Sequence, residues 1–373
     1  MLDVEHGVAV VGVSPIGGGD ATEQPPTLWL STDLNHWHNV TPPTSQQSFE
    51  GNLYVMFDQA SFLNSSTGWV TTWNSWNLGV TIYRTADGGK SWTVAPVGSG
   101  HGDHAGDADW IQLLTPTVAF DENIAATASH MSLSVTKDAG GSWDTVYTGP
   151  PATATPTPSA YEAPMLFVSE LRGFAATGIP PAESQIDQGL FETTDGGLSW
   201  TAEKPPLTPS TTACPSDNLG TVECLFALPS FSDANHAVLA TEVVDGTRAT
   251  VGFDVTADGG STWRQAISLD VPIPLVPAGS YPMTYALVAT PSSRDWWIVS
   301  ATGKGVTTRI TSDAGQHWVT ANNSQVLGSP GKLEALNASQ AVLMTEIITS
   351  NGETSALYVT SDGGHSWKTL FGS

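Results

Sequence analysis

Apolar and polar residues alternate along this chain in short runs of four or five. No stretch keeps the three-to-four-residue spacing of an amphipathic helix beyond a turn or two. Val80-Thr81-Ile82-Tyr83, Gly252-Phe253-Asp254-Val255 and Leu357-Tyr358-Val359 are β-rich runs of this kind. Upstream of each lies a second run, clearest as Gly68-Trp69-Val70-Thr71-Thr72 and Gly173-Phe174-Ala175-Ala176-Thr177. The same slot holds Ala237-Val238-Leu239-Ala240, Trp296-Trp297-Ile298-Val299 and Ala341-Val342-Leu343-Met344. Further upstream a first strand is expected, for example over Leu53-Tyr54-Val55-Met56-Phe57 or Thr117-Val118-Ala119-Phe120. The first unit has only Met1 to Val4 for this strand.

A conserved-spacing turn follows each third run. Thr85-Ala86-Asp87-Gly88-Gly89-Lys90-Ser91-Trp92 recurs at Thr136–Trp143, Thr193–Trp200, Thr256–Trp263, Thr311–Trp318 and Thr360–Trp367. A first copy, Ser31-Thr32-Asp33-Leu34-Asn35-His36-Trp37, is one residue shorter. Successive aspartates lie 54, 51, 57, 63, 55 and 49 residues apart, too regular for chance and about one supersecondary unit each. The aspartate accepts backbone N–H bonds, and the glycine two residues on supplies a left-handed backbone. In the first copy Asn35 is the residue expected to take that conformation. The tryptophan then opens an outgoing strand and buries its ring between neighbouring sheets.

Four short strands per unit, seven times over, predict an all-β fold: a seven-bladed β-propeller of four-stranded antiparallel blades, one domain over residues 1–373. The repeated turn resembles the Asp-box, or bacterial neuraminidase (BNR), repeat, Ser/Thr-x-Asp-x-Gly-x-x-Trp between the third and fourth strands of a blade, one per blade. The Gly-Trp run ahead of Thr-x-Asp-Gly-Gly is similar to the repeats of photosystem II assembly factor-like proteins. That superfamily also holds sialidases, xyloglucan-cleaving glycoside hydrolases and sortilin-type receptors. The resemblance implies that the boxes are structural and face away from any active site. A sialidase would need an arginine triad for its substrate carboxylate, and the six arginines are poorly placed for one. Arg84 and Arg264 adjoin boxes, Arg172 and Arg294 adjoin turns on the box side, and Arg309 lies in a third strand. Only Arg248 remains for a working-face loop, and the Arg-Ile-Pro signature is absent.

Composition narrows the partners. Twelve Lys+Arg against 36 Asp+Glu give a net charge of −24, which repels nucleic acid and anionic membranes. No apolar run approaches the ~20 residues of a membrane span. The Val8–Val13 stretch is too short for a signal-peptide core, and the Lys-poor, Thr/Ser/Pro/Gly/Trp-rich composition suits an exported protein, extracellular or periplasmic. Acidic balance with few charges also suits an acidic medium. Cys214 and Cys224, the only cysteines, form a disulfide pinning one loop if the protein is exported, or two thiols if it is cytoplasmic. A monomer is expected.

The loops opposite the boxes are long and irregular, and function is expected there. His101-Gly102-Asp103-His104-Ala105-Gly106-Asp107-Ala108-Asp109-Trp110 gathers donors that suit a divalent cation at His101, Asp103 and His104, although no cofactor is required. Asp107 and Asp109 also suit acid/base work, and the whole segment equally suits a solvated acidic loop. Aligning the second strands places Glu242 and Glu346 just past the strand, two blades apart, beside Val13, Asn74, Ser129, Ile179 and Thr302 in the other blades. Paired carboxylates serve glycoside hydrolysis at ~5–9.5 Å. With strands ~4.8 Å apart, the two backbones stand roughly 19 Å apart, so ordinary rim carboxylates fit the pattern too. Trp73, Trp76, Trp110, Tyr161, Tyr281 and Tyr285 either stack on sugar rings or fill gaps between blades.

These features predict an exported, glycan-directed propeller that binds or hydrolyses a polysaccharide or oligosaccharide on the face opposite the boxes. If an enzyme, it is a glycoside hydrolase with carboxylate acid/base chemistry, with Arg248 and the aromatics binding substrate. The alternative is a non-catalytic scaffold that binds a protein.

Overall fold

The computed structural model describes residues 2–5, 8–13, 27–42, 55–74, 79–95, 110–124, 131–148, 165–177, 189–203, 222–245, 248–271, 286–302, 304–349 and 352–371. Among them are seven antiparallel sheets and no helix, so the fold is an all-β, seven-bladed β-propeller. Sheet one comprises β1 (Leu2–Glu5), β2 (Val8–Val13), β3 (Thr27–Ser31) and β4 (His38–Asn39). Sheet two comprises β5 (Val55–Phe62), β6 (Gly68–Asn74), β7 (Gly79–Thr85) and β8 (Thr93–Val94). Sheet three comprises β9 (Trp110–Leu113), β10 (Ala119–Ile124), β11 (Met131–Thr136) and β12 (Asp144–Thr148). Sheet four comprises β13 (Met165–Phe167), β14 (Gly173–Thr177), β15 (Gly189–Thr193) and β16 (Thr201–Glu203). Sheet five comprises β17 (Val222–Phe226), β18 (Ser230–Phe231), β19 (Ala237–Asp245), β20 (Arg248–Thr256) and β21 (Arg264–Val271). Sheet six comprises β22 (Ala286–Ala289), β23 (Trp296–Thr302), β24 (Gly305–Thr311) and β25 (Val319–Asn323). Sheet seven comprises β26 (Ser329–Ala335), β27 (Ala341–Thr349), β28 (Gly352–Thr360) and β29 (Lys368–Phe371).

Each sheet runs in sequence order. In sheet five the first strand is split: β17 and β18 both pair with β19, around an interruption that contains Pro229. One expected first strand is corrected: Thr117–Phe120 enters the second strand, β10, and the first strand of that sheet is β9. The expected Leu53–Phe57 strand is a first strand, β5, described from Val55 and running on to Phe62. A strand-one-to-two turn over Leu114–Val118, closed by Leu114 N–H donating to Val118 O at 2.9 Å, separates β9 from β10.

The repeated turn joins third and fourth strands in every sheet, and its bonds explain its sequence. In the second copy Thr85 Oγ1 donates to Asp87 Oδ1 at 2.9 Å while accepting from Gly89 N–H at 2.8 Å. Ser91 donates to the aspartate twice, through N–H at 2.9 Å and through its hydroxyl at 2.6 Å. Two successive residues, Gly88 (φ 73°) and Gly89 (φ 80°), are left-handed, and a Cβ on Gly88 would lie 2.8 Å from Ser65 O. Ala139 and Ala314 take the first of these positions in their copies, at φ 61° and 59°. In the shortened first copy the left-handed residue is Leu34 (φ 58°), not Asn35. One residue is missing, so Leu34 N–H makes the bond to Ser31 Oγ that Gly89 makes to Thr85. Its side chain, 2% exposed, is buried in return.

The chain packs as two compact units. One contains residues 1–162, 167–173 and 193–200, and the other contains 163–166, 174–192 and 201–373. Inside the first unit, Val8, Val10, Leu28 and Leu30 pack with Phe57, Phe62 and Val70, and Trp92 covers their edge. Trp69 and Ile82 pack with Ile111, Leu113 and Trp143. Phe120 stacks on Phe167 with centroids 3.6 Å apart. Inside the second unit, Val238, Val251 and Phe253 pack with Trp296 and Ile298 beside Trp318, and Trp297 and Val299 pack with Leu333, Leu343 and Trp367. Four of the repeat tryptophans thus seal a junction between successive sheets, the burial their spacing predicts.

Candidate functional site

The two ends of each sheet differ. Gly88 N–H donates to Ser66 O, Ala139 to Thr117 O, Gly196 to Leu171 O, Gly259 to Asn235 O, Ala314 to Arg294 O and Gly363 to Ser339 O, all at 2.8–3.0 Å. These bonds tie the repeated turn to the strand-one-to-two turn, so both occupy one end of the sheet. The second-to-third-strand hairpins turn at the other end. Two are longest: β19–β20 and β27–β28 have nine residues per strand and pair out to Asp245↔Arg248 and Thr349↔Gly352.

Those two hairpins carry the candidate glutamates at one register position. Counted from the opening pairs Ala237↔Thr256 and Ala341↔Thr360, Glu242 (opposite Val251) and Glu346 (opposite Ser355) are each five residues along. The sequence reading put both just past their strands, but each strand continues three residues further. Val243-Val244-Asp245 and Ile347-Ile348-Thr349 keep pairing because β-branched residues favour the ladder. The environments differ. Glu242 is 5% exposed and lies in phase with Val238 and Ala240, which pack toward sheet six. Glu346 is exposed, and Gly331, within the bulge of β26, leaves room beside it: a Cβ there would lie 3.5 Å from Glu346 Oε1.

In sheet two the same count from Gly68↔Thr85 reaches Trp73, opposite Val80. The expected equivalent was Asn74, which proves to be one position further along the strand. Trp73, Glu242 and Glu346 therefore share one position in their respective sheets. Arg248, expected in a loop over Asp245–Thr250, instead opens β20, paired with Asp245. Trp110 opens β9, half-buried and opposite Glu122. Asp107, Asp109, His101, Asp103, His104, Trp76, Tyr161, Tyr281, Tyr285 and Cys214 lie outside the described residues. Cys224 lies on β17, opposite Val243. Among the described residues no three His, Cys, Asp or Glu side chains are grouped as metal ligands, and no helix is long and apolar enough to cross a membrane.

Charge is distributed unevenly between the sheet ends and the interior. Hydrogen bonds from the Ser91 hydroxyl and N–H hold Asp87 down at about 2, and those from Thr262 do the same for Asp258. Arg84 Nη1 donates to Ala139 O and Arg309 Nη1 to Asp270 O (2.7 Å), so both guanidiniums serve backbone carbonyls. Sequence reading missed the interior carboxyls of Asp121 and Asp254. Asp254, fully buried on β20, is pushed up to about 7 by burial. Its signal was present: an aspartate two residues before the repeat threonine, in phase with Gly252 and Thr256.

No family model matches the chain, and no curated protein matches it. Among solved structures it is similar to YCF48 from Cyanidioschyzon merolae, with 16% identity, a TM-score of 0.47, and coverage of 90% of this chain and 87% of that one. It is also similar to the α-L-arabinofuranosidase Arb93A from Fusarium graminearum: 15% identity, TM-score 0.45, coverage 81% and 92%. A third is the GH74 xyloglucanase from Xanthomonas campestris, at 12% identity and TM-score 0.33. There the match takes in 98% of this chain and spans 60% of the xyloglucanase.

Proposed function

We propose that this chain is an exported Asp-box propeller that binds or hydrolyses a neutral or cationic polysaccharide at the hairpin ends away from the repeated turns. One observation carries the reading: Trp73, Glu242 and Glu346 hold a single register position. A flat ring and carboxylates are the groups that recognise sugars, one by stacking on the apolar face of a pyranose and the others by accepting its hydroxyls. Glu346, exposed, is the carboxylate placed to accept a proton or a hydroxyl, and Glu242 supports its hairpin from the packed side. Arg248, Trp76, Trp110, Tyr161 and Tyr281 are assigned to substrate contact. Asp107 and Asp109 are further acid/base candidates, and His101, Asp103 and His104 form an optional divalent-cation site. The net charge of −24 disfavours polyanionic glycans.

The second reading, a protein-binding scaffold, is favoured by Leu171 and Leu198. These are 62% and 64% exposed at the repeated-turn end of sheet four. Incubation with a panel of neutral and cationic polysaccharides separates the two. The glycan reading expects product release or a sugar-dependent rise in melting temperature that Trp73→Ala and Glu346→Gln abolish. A panel with neither response overturns it in favour of the scaffold.

A further inference from the structure

We infer that Asp254 is a proton-operated switch in sheet five: unit 2 packs fully only while this carboxyl holds its proton, and ionisation loosens the sheet. The geometry is specific. Asp254 is 0% exposed, and neither carboxyl oxygen has a hydrogen-bond partner among the described residues. It lies directly opposite Leu239, immediately after a bulge between Phe253 and Asp254. Residues opposite each other in a ladder share a face, so this face of sheet five presents Ala237, Thr241, Gly252 and Thr256 next to Asp254, and its ionisable residues Cys224, Asp245, Arg248 and Asp270 stand toward the far end of the hairpin. Thr241, 1% exposed, likewise has no hydrogen-bond partner for its Oγ1 among the described residues. Phe231, opposite Ala237, meets Phe174 of sheet four at 5.4 Å, which identifies the neighbour that this face packs against.

Among the described residues no cation is adjacent to the carboxylate in the ladder: Arg248 shares its face but opens β20, six residues away and opposite Asp245. Arg264 is paired with Val255 and so lies on the opposite face of the sheet. On β15 of sheet four, Glu192 is the ionisable residue in phase with buried Leu190, and it supplies no cation. Gln265, opposite Asp254 on β21, carries no charge. A buried carboxylate without a partner is costly, and the group escapes that cost by keeping its proton. Desolvation accordingly raises Asp254 to about 7 from an ordinary 3.8. The sign follows from linkage. The folded state binds the extra proton, so its stabilising effect is complete below about pH 4 and is lost as pH rises through about 7. On ionisation the proton leaves to solvent, and the carboxylate then drives Asp254 toward water.

The test is the unfolding equilibrium of the whole chain in urea between pH 4 and 8, for the wild type, Asp254→Asn and Asp121→Asn, the last replacing another buried aspartate. A shift of about three pH units corresponds to roughly a thousandfold. The wild type is expected to lose up to that much more of its folding constant across the range than Asp254→Asn, and the slope falls further in Asp254→Asn than in Asp121→Asn. A slope unchanged in Asp254→Asn, or abolished only in Asp121→Asn, overturns the assignment. Should Asp254→Asn fail to fold, carboxyl 13C resonances of aspartate-labelled wild type decide. A protonated carboxyl persisting at pH 6 supports the switch, and none at that pH refutes it.

Discussion

Gln112 and Phe167 are joined by two hydrogen bonds between first strands. Gln112 Nε2 donates to Phe167 O at 2.9 Å, and Phe167 N–H donates to Gln112 Oε1 at 2.6 Å. The pair occupies the edge of β13 with a side-chain amide that mimics a strand, which satisfies backbone groups that would otherwise be buried alone. Leu113 N–H makes a related bond to Ser61 Oγ at 2.9 Å. Gln112→Leu keeps the volume and orphans two backbone groups. It is expected to cost about 2–4 kcal/mol in urea unfolding, and a cost under ~0.5 kcal/mol would show that the bonds are incidental.

Trp200 stands edge-on to Phe167, with centroids 6.1 Å apart. Trp200→Ala removes a core ring and is expected to cost about 3–5 kcal/mol. Glycan response per folded molecule should persist, because the tryptophan sits at the structural end of its sheet. A variant with unchanged stability and no glycan response would reverse that assignment.

Ala139 and Ala314 hold left-handed backbone where four other copies have glycine. A Cβ in that region costs about 1–2 kcal/mol, partly offset by the unfolded-chain entropy that glycine adds. Ala139→Gly and Ala314→Gly are therefore expected to raise stability by roughly 0.5–1 kcal/mol each. Gly196→Ala should lower it, because its Cβ would lie 2.9 Å from Glu170 O. Calorimetric melting of the three variants checks the signs.

The turn aspartates give a pH dependence opposite to that of Asp254. Asp258 is held at about 2, first by the Thr262 hydroxyl and then by its N–H. Its stabilisation is present above the unfolded value of about 3.8 and is lost as pH falls toward 2. Asp258→Asn should weaken the fold at pH 6 and shrink the loss between pH 4 and pH 2. An acid limb identical to the wild type would contradict the role given to these bonds.

The turns were legible because their determinants are local: hydroxyl, carboxylate and left-handed residue lie within five positions, and the tryptophan follows. Second and third strands were legible from their β-rich runs, and β14 matches its expected span of Gly173–Thr177. First strands were legible in part: the expected strands over Met1–Val4 and Leu53–Phe57 overlap β1 and β5, whereas Thr117–Phe120 enters the second strand, β10, because a first strand's partner lies beyond a turn of variable length. Leu34 escaped because loss of one residue moves the left-handed position, and burial overrides its intrinsic preference. At the candidate site, Glu242 and Glu346 were found in equivalent positions and Trp73 was a stacking candidate, but the strand alignment put Asn74 where Trp73 stands. Where a strand ends depends on its ladder, not on its own sequence. Asp107, Asp109 and the His101–His104 segment remain readings of sequence, outside the described residues.

Hydrogen–deuterium exchange with the best-responding oligosaccharide bound tests the central claim, that ligand chemistry belongs to the hairpin ends and the repeated turns are structural. The account predicts slowed exchange in residues 242–251 and 346–355, with none in 256–263 and 360–367. Protection confined to the repeated turns would contradict it.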